Sequence, residues 1–329
     1  MAEMKPVVER VRILDCGHEF HAEFKHFPVA FVNGLRRILL ASLPVVVARD
    51  VEIVENTTKY PHEMLKHRVE MLPINVLPSE SSVIREATIE LRIASATSDK
   101  VIHTSDFVVA RGPPTLLMGD RDTGAPLLFT RMKAKDSLHI RAKLAVETET
   151  ASHVCVASLS YHPDPERVKE DREAFIEDEG EPAVFDNFYI QKSYSRDEDG
   201  RPNWIDLHVK SIGVIAGKEL VRMAVGVLKQ KVADYIEKAR ENIERLPNSE
   251  YRITIQMGGH TELAVLQQIL YSDKNVDFVS YDIPHPLKPD TNLRLKTSMN
   301  PDTILTTAHG ILNEYCQSVY NGIGVRPGD

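Results

Sequence analysis

Hydrophobic residues recur along this chain with two periods, and the switches between them mark out its elements. Near the N-terminus Phe20, Ala22 and Phe24 alternate with His21 and Glu23, which predicts a strand with one apolar face. Phe31, Leu35, Ile38 and Leu39 then fall at i, i+4, i+7 and i+8, one face of a helix over residues 29–41. Ser42-Leu43-Pro44 ends it, because the residue before proline leaves the α region. Val45 to Ala48 and Val51 to Ile53 read as strands. From about residue 56 to 180 the period is two: Ala87, Ile89, Leu91 and Ile93 alternate with polar residues, as do Leu138, Ile140, Ala142, Leu144 and Val146. Val154 to Tyr161 forms a further strand. Gly112-Pro113-Pro114 and Gly124-Ala125-Pro126 break up this stretch.

The helical period then returns. After an alternating strand at Ile205, Leu207 and Val209, a long helix starts near Gly217, in which Leu220, Ala224, Val227, Leu228, Val232, Tyr235, Ile236 and Ile243 keep helical spacing. It ends at Leu246-Pro247-Asn248. The last segment repeats the opening order: a strand at Tyr251, Ile253, Ile255 and Met257, an apolar helix over about 261–272, strands at Val276 to Ile283 and Leu293 to Thr297, and a closing helix. Asn300 is its N-cap, with Pro301 at the first helical position and Asp302 at the positive end of the dipole.

Each terminal segment yields a small sheet whose apolar face its own helices cannot cover, and two such units packed together would cover both. The expected architecture is α+β: two related α/β modules forming an internal pseudo-dimer, with a β-rich domain set into the first. The expected bounds are 1–55 with 182–246 for the first module, 56–181 for the inserted domain and 247–329 for the second module. The join Pro247 to Glu250 reaches at most about 14 Å when extended, so Leu246 and Tyr251 must end up close together.

Composition narrows the function classes. With 42% hydrophobic and 27% charged residues the chain is an ordinary globular one. No apolar run approaches the roughly 18–20 residues that span a bilayer, and Met1 to Pro6 has no apolar signal region, so a soluble, intracellular protein is expected. Cys16, Cys155 and Cys316 lie far apart without a Cys-x-x-Cys pair, which argues for reduced thiols and against a zinc knuckle. Residues 164–181 hold nine acidic and three basic residues, so this one segment carries −6 of the net charge of −8. It reads as a solvated acidic loop. A nearly neutral remainder lacks the basic footprint of a stand-alone DNA binder.

Several strings carry a resemblance. Asn33-Gly34-Leu35-Arg36-Arg37-Ile38-Leu39, Val51-Glu52-Ile53-Val54-Glu55-Asn56-Thr57 and His67-Arg68-Val69-Glu70-Met71-Leu72-Pro73-Ile74 occur in the order and spacing of the α-like subunits of multisubunit RNA polymerases. These are bacterial alpha, the archaeal D-like polypeptide and the third-largest subunit of RNA polymerase II. Leu138 to Lys143, Tyr161-His162-Pro163-Asp164-Pro165 and Val209-Lys210-Ser211-Ile212-Gly213 are also similar. The last segment, with Gly259-His260-Thr261 and Val279-Ser280-Tyr281-Asp282-Ile283-Pro284-His285-Pro286-Leu287, resembles the small partner of these proteins, the archaeal L-like polypeptide or the eleventh subunit of RNA polymerase II. The two look fused in one chain, an arrangement reminiscent of large DNA viruses. Some family members carry a cysteine-rich metal loop in the inserted domain, whereas this chain has only Cys155 there. A Gly-Lys-Glu-His-Ala-Lys run of the family is replaced by Val146 to His153, and the small partner's His-Thr-Leu-Gly-Asn helix start reads His260-Thr261-Glu262-Leu263-Ala264.

The resemblance implies a non-catalytic assembly platform of a DNA-directed RNA polymerase. Its expected partners are the two large catalytic subunits and small polymerase subunits, with no sequence-specific nucleic acid contact and no membrane. It would work inside the cell or, if viral, in the virion and the host cytoplasm or nucleus. Arg36 and Arg37 sit about 100° apart on their helix, so both cannot face a core, and solvated charge is their plain reading. The resemblance turns them into contacts for a large subunit, since arginine suits interface ion pairs, and makes Asn33, His67 and Arg68 further interface residues. Phe31, Leu35, Ile38 and Leu39 are expected to meet Leu263, Leu266, Ile269 and Leu270 along the pseudo-dimer seam. No catalytic residue, cofactor or metal is expected. Cys16, His18, His21, Glu23 and His26 crowd together, but alternate strand residues point to opposite faces, so His18 and His21 should diverge. The alternatives are a metal-dependent hydrolase built on His260, His285, Asp273 and Asp277, with Pro284-His285-Pro286 more simply a rigid turn, and a scaffold unconnected with transcription.

Overall fold

The computed structural model describes residues 5–150, 154–285 and 287–324. The chain opens with β1 (Val7–Leu14) and β2 (Glu19–Lys25), an antiparallel pair with a bulge between Glu9 and Arg12, and continues into α1 (Val29–Ala41). Then come β3 (Val45–Asn56), α2 (His62–Glu70), α3 (Ser81–Glu86), β4 (Thr88–Ile93), β5 (Lys100–His103), β6 (Val108–Ala110), β7 (Leu128–Met132) and β8 (Leu138–Glu147). β9 (Cys155–Tyr161), α4 (Pro165–Glu177), the single turn α5 (Pro182–Val184), β10 (Trp204–Ser211) and the long α6 (Gly217–Glu241) follow. The last segment comprises β11 (Ile243–Arg245), β12 (Glu250–Gln256), α7 (His260–Tyr271), β13 (Val276–Asp282), β14 (Asp290–Thr297) and α8 (Pro301–Gly322).

Two four-stranded sheets share one topology. The first has the order β1-β2-β10-β9 and the second the order β11-β12-β14-β13. In each, two successive strands are followed by the module's last strand and then its next-to-last. In each, a short helix follows the second strand (α1, α7) and a long one follows the last (α6, α8). The second module runs directly from α7 to β13. The first carries an insert between α1 and β9.

Packing follows from the alternation. Phe20, Ala22 and Phe24 of β2 and Ile205, Leu207 and Val209 of β10 are buried, as are Ile253, Ile255, Leu293 and Leu295 of the second sheet. Helices from both modules cover these faces. On α1, Phe31, Leu35, Ile38 and Leu39 are all buried, and the rings of Phe27 and Phe31 lie 5.8 and 5.5 Å from that of Tyr315 on α8. α6 packs against α7 and α8 and sends the fully buried Tyr235 towards Thr291 of β14, 3.5 Å between hydroxyls. Arg240 of α6 pairs with Asp302 of α8 at 2.9 Å. Two glycines permit close approaches of these elements. A Cβ on Gly217 would lie 3.0 Å from that of Phe20, and one on Gly34 would lie 3.3 Å from Val265 Cγ2 of α7 and 3.5 Å from Leu228 of α6.

The join is tight, as the short linker requires. β11 pairs with β12 through Arg245 and Tyr251, Leu246 N–H donates to Glu250 O at 2.8 Å, and Asn248 and Ser249 take left-handed conformations. Asparagine tolerates that region better than most residues. The helix stops at Glu241, and Ile243 to Arg245, expected to be its last turn, instead form an edge strand of the second sheet.

The chain divides into two compact units, one of residues 1–39, 157–209 and 217–329, the other of residues 40–156 and 210–216. This grouping differs from the expected 56–181 insert in a physically simple way. β3, read as part of the first module, pairs with β8 in the sheet β3-β8-β4-β6, where Leu65 and Val69 of α2 pack with Ile89, Leu91, Leu138 and Ile140. Residues 157–209 instead belong with the first sheet, which β9 and β10 complete. The acidic stretch 164–181 is largely helical, a correction to the expected loop. Asp164 caps α4 by accepting from Glu166 N–H at 3.1 Å, Pro165 occupies the first turn, and Arg167–Asp171 and Arg172–Asp186 pairs offset its charge. Pro286 of the Pro284-His285-Pro286 turn lies outside the described residues, as does the Ala151 to His153 end of the altered loop.

Gly34→Leu should destabilise the protein by about 1–3 kcal/mol through overpacking against Val265 and Leu228. Gly310→Ala, at an exposed site on α8 with nothing within 4 Å, should stabilise it by about 0.5–1 kcal/mol. Guanidinium chloride unfolding of both variants measures this, and equal effects would rule out a tight contact at Gly34.

Candidate docking surface

The polar row of α1 begins at Asn33, one turn before Arg36. Arg36 Nε–H donates to Asn33 Oδ1 at 2.9 Å, an i,i+3 contact that helix geometry allows, and both residues are half-buried. Arg37 is exposed and turns the other way. Its Nε–H donates to Thr261 Oγ1 on α7 at 2.8 Å, so this arginine links the two modules. The other donors of both guanidinium groups have no hydrogen-bond partner among the described residues and remain available to an acceptor.

Leu263, Leu266, Ile269 and Leu270 are buried. On α7, Thr261 accepts from Arg37 and Val265 lies beside Gly34, two neighbours of α1 that periodicity does not single out. Leu228 and Tyr315 are further neighbours of α1 beyond the expected seam. Their helical spacing marks them as buried, but no pattern says which helix a buried face meets.

His67 and Arg68 lie in the other compact unit, in the last turn of α2, where positive charge is favourable to the helix dipole. His67 is exposed and Arg68 half-buried. Nearby in the same unit, Arg49 of β3 bonds Glu147 of β8 at 2.7 Å and pairs with Glu70 at the end of α2 at 3.2 Å. The guanidinium holds the Glu147 carboxyl below its ordinary value. On β4 and β8, His139 and Arg141 meet Glu90 at 2.6 and 3.2 Å, and these hydrogen bonds likewise depress Glu90. Glu147 falls where the family's basic run is replaced, so a carboxylate is held fixed at that place.

The hydrolase arrangement does not assemble. His260 faces the Tyr281 hydroxyl at 3.4 Å, His285 Nδ1 accepts from Leu287 N–H at 3.1 Å, and Asp273 accepts from Asn275 N–H at 2.9 Å. None of these groups joins a metal-binding cluster among the described residues. The clusters that do form are Glu19 with His21 and His208, and Glu23 with His162 and Asp206, on the first sheet. Cys155 and Cys316 are buried, which pushes each thiol up to about 12 and leaves it unsuited to thiolate chemistry. No helix among the described residues is long and apolar enough to cross a membrane.

A family model described as the RNA polymerase Rpb3/Rpb11 dimerisation domain matches residues 22–232, and a second of the same description matches residues 250–321. The chain belongs to the RNA polymerase Rpb3/Rpb11 dimerisation-domain family. The two matches fall one on each module, so two such domains are present in one chain. Among relatives, subunit Rpo3 of the DNA-directed RNA polymerase of Pyrobaculum islandicum is 30% identical over 146 residues, 41% of this chain and 54% of the relative. RNA polymerase II subunit RPB3 of Schizosaccharomyces pombe is 25% identical over 247 residues, 62% of this chain and 78% of the relative. Subunit Rpo11 of Korarchaeum cryptofilum is 39% identical over 75 residues, 22% of this chain and 76% of the relative. The chain spans 37% and 54% of the length of two Pyrobaculum Rpo3 relatives that it matches. This pattern is consistent with an Rpo3–Rpo11 fusion.

A pH test follows from the Arg49–Glu147 pair. A carboxyl whose folded value lies below the ordinary 4.5 contributes stability above its unfolded value and loses it as pH falls through the folded one. Glu147 is partly exposed, so screening keeps the effect under about 1 kcal/mol. Glu147→Gln should therefore be slightly less stable than the wild type at about pH 7, with the gap closing below about pH 4 in urea unfolding. A gap that widens on acidification would contradict the pairing.

Proposed function

We propose that this chain is the non-catalytic assembly platform of a DNA-directed RNA polymerase, on which the two large catalytic subunits dock. One observation carries this reading: two Rpb3/Rpb11 dimerisation domains occur in one chain, each built on its own sheet of the same strand order. The pairing that two separate subunits make elsewhere is here internal, with Phe31, Leu35, Ile38 and Leu39 of α1 and Leu263, Leu266, Ile269 and Leu270 of α7 forming its seam. A permanent interface of this kind buries on the order of 2,000 Å² or more. The large subunits take the outer surface, with Asn33, Arg36 and Arg37 as one set of contacts and His67 and Arg68 as another. Magnesium and the catalytic aspartates belong to those subunits, and small polymerase subunits complete the assembly. The chain works where its polymerase works, in the cell interior or, in a viral setting, in the virion and the host cytoplasm or nucleus. The hydrolase reading receives no support from the family or from the positions of its residues.

Affinity purification of the tagged full-length chain from its native source should recover two large polymerase subunits, and their absence would overturn the proposal. Arg36→Glu with Arg37→Glu should leave far-UV circular dichroism unchanged and reduce that recovery by about tenfold or more, as for loss of interface arginines. Thr261→Ala removes only the internal partner of Arg37 and should retain the large subunits. Equal losses in both variants would make Arg37 a seam residue and not a docking one.

A further inference from the structure

The outer face of the first sheet carries histidines and carboxylates at every second position. Glu19, His21 and Glu23 stand on β2, Asp206 and His208 on the neighbouring β10, while Phe20, Ala22, Ile205 and Leu207 between them face the core. Two three-residue clusters result, each with its potential ligand atoms within 4.8 Å of one another.

The clusters differ in what their atoms already do. In the first, His162 Nδ1 lies 2.9 and 3.0 Å from the two Asp206 oxygens. Trp204 Nε1–H and Arg10 donate to Glu23 at 3.1 and 3.3 Å, and the His162 ring stacks on Trp204. Its polar atoms are partnered and Arg10 already supplies a cation. In the second, the rings of His21 and His208 stack at 3.9 Å between centroids, 20° from parallel. His208 Nε2 is buried and has no hydrogen-bond partner among the described residues. His21 Nε2 stops 3.9 Å from Glu19 Oε2, too far for a hydrogen bond.

We propose that Glu19, His21 and His208 form a binding site for one divalent transition-metal ion of the zinc class. Two imidazoles with a carboxylate are the donors such ions take, whereas calcium and magnesium prefer oxygen alone. The buried His208 nitrogen with no hydrogen-bond partner and the stacked His21 ring beside it put two imidazoles within reach of one ion. Ligands about 2.0–2.1 Å from zinc stand about 3.3 Å apart, so modest side-chain rotation closes the present spacing. A depression of about 300 Å³ borders His21 and His208, and also Glu23 and His162, room for a water as a fourth ligand. Asp206 adds negative charge beside His21, and the exposed Arg12 can turn towards solvent. The ion would tie β2 to β10, two adjacent strands separated in sequence by the whole insert. This place is distinct from the cysteine-rich loop of some family members, and the inference does not depend on polymerase assembly.

The test uses the tag-free full-length chain, stripped with a chelator and titrated with Zn²⁺ by calorimetry and with Co²⁺ by visible absorption. The expected result is one ion per chain, with affinity reduced about tenfold or more in His208→Ala, His21→Gln and Glu19→Gln. Zn²⁺ should also raise the melting temperature of the wild type but not of His21→Gln, a readout that a merely misfolded variant cannot mimic. Cys16→Ser and His162→Asn should bind as the wild type does. No binding, binding unchanged in all three ligand variants, or loss confined to Cys16→Ser or His162→Asn would each overturn the proposal.

Discussion

Two open sheets, each apolar on one face, must be covered by a single shared layer of helices, and the rest of the larger compact unit follows from that requirement. Neither sheet can bury Phe20 and Phe24, or Ile253 and Leu293, with its own short helix alone. The 25-residue α6, about 37 Å long at 1.5 Å per residue, is long enough to serve both modules. It supplies Leu228 to α1 and Tyr235 to the second sheet. Close packing of four helices needs a position without a side chain. Gly34 provides it, which gives the Asn-Gly-Leu-Arg-Arg string a structural as well as a chemical meaning.

That string joins two jobs within a few residues. Gly34 sets the distance between modules, Arg37 bonds across them to Thr261, and Arg36 stays on its own helix with Asn33. A surface built this way is properly formed only when the modules are paired. Under the proposed function, a large subunit that recognises the row would read pairing and sequence together.

The apolar stripes of α1 and α6, the capped start of α8 and the alternation in β4 and β8 are legible in the sequence because each is a local period or a local cap. What escapes depends on partners distant in sequence. Val45 to Ala48 and Val51 to Ile53 read as strands, but only the ladder of β3 with β8 joins them into one and groups it with the insert. Local spacing sets His21 against His18, its neighbour in sequence, whereas the strand beside it in space brings His208. The helix over 165–177 has a local signal, Asp164-Pro165, of the same kind as Asn300-Pro301. The density of charge masks it, although i,i+4 pairing makes charged stretches compatible with helix. Val265 and Thr261 show the same limit at the seam: burial can be inferred from spacing, but contact cannot.

The turn at residues 246–250 has a consequence for solubility and stoichiometry. β11 lies along β12 and so occupies an edge that a separate small subunit would have to protect by other means, since open edges invite pairing with foreign strands. One polypeptide therefore delivers the second module with β12 covered and only the three-residue β11 at that edge, in a strict one-to-one ratio. Its pairing does not weaken on dilution, because the partner is tethered.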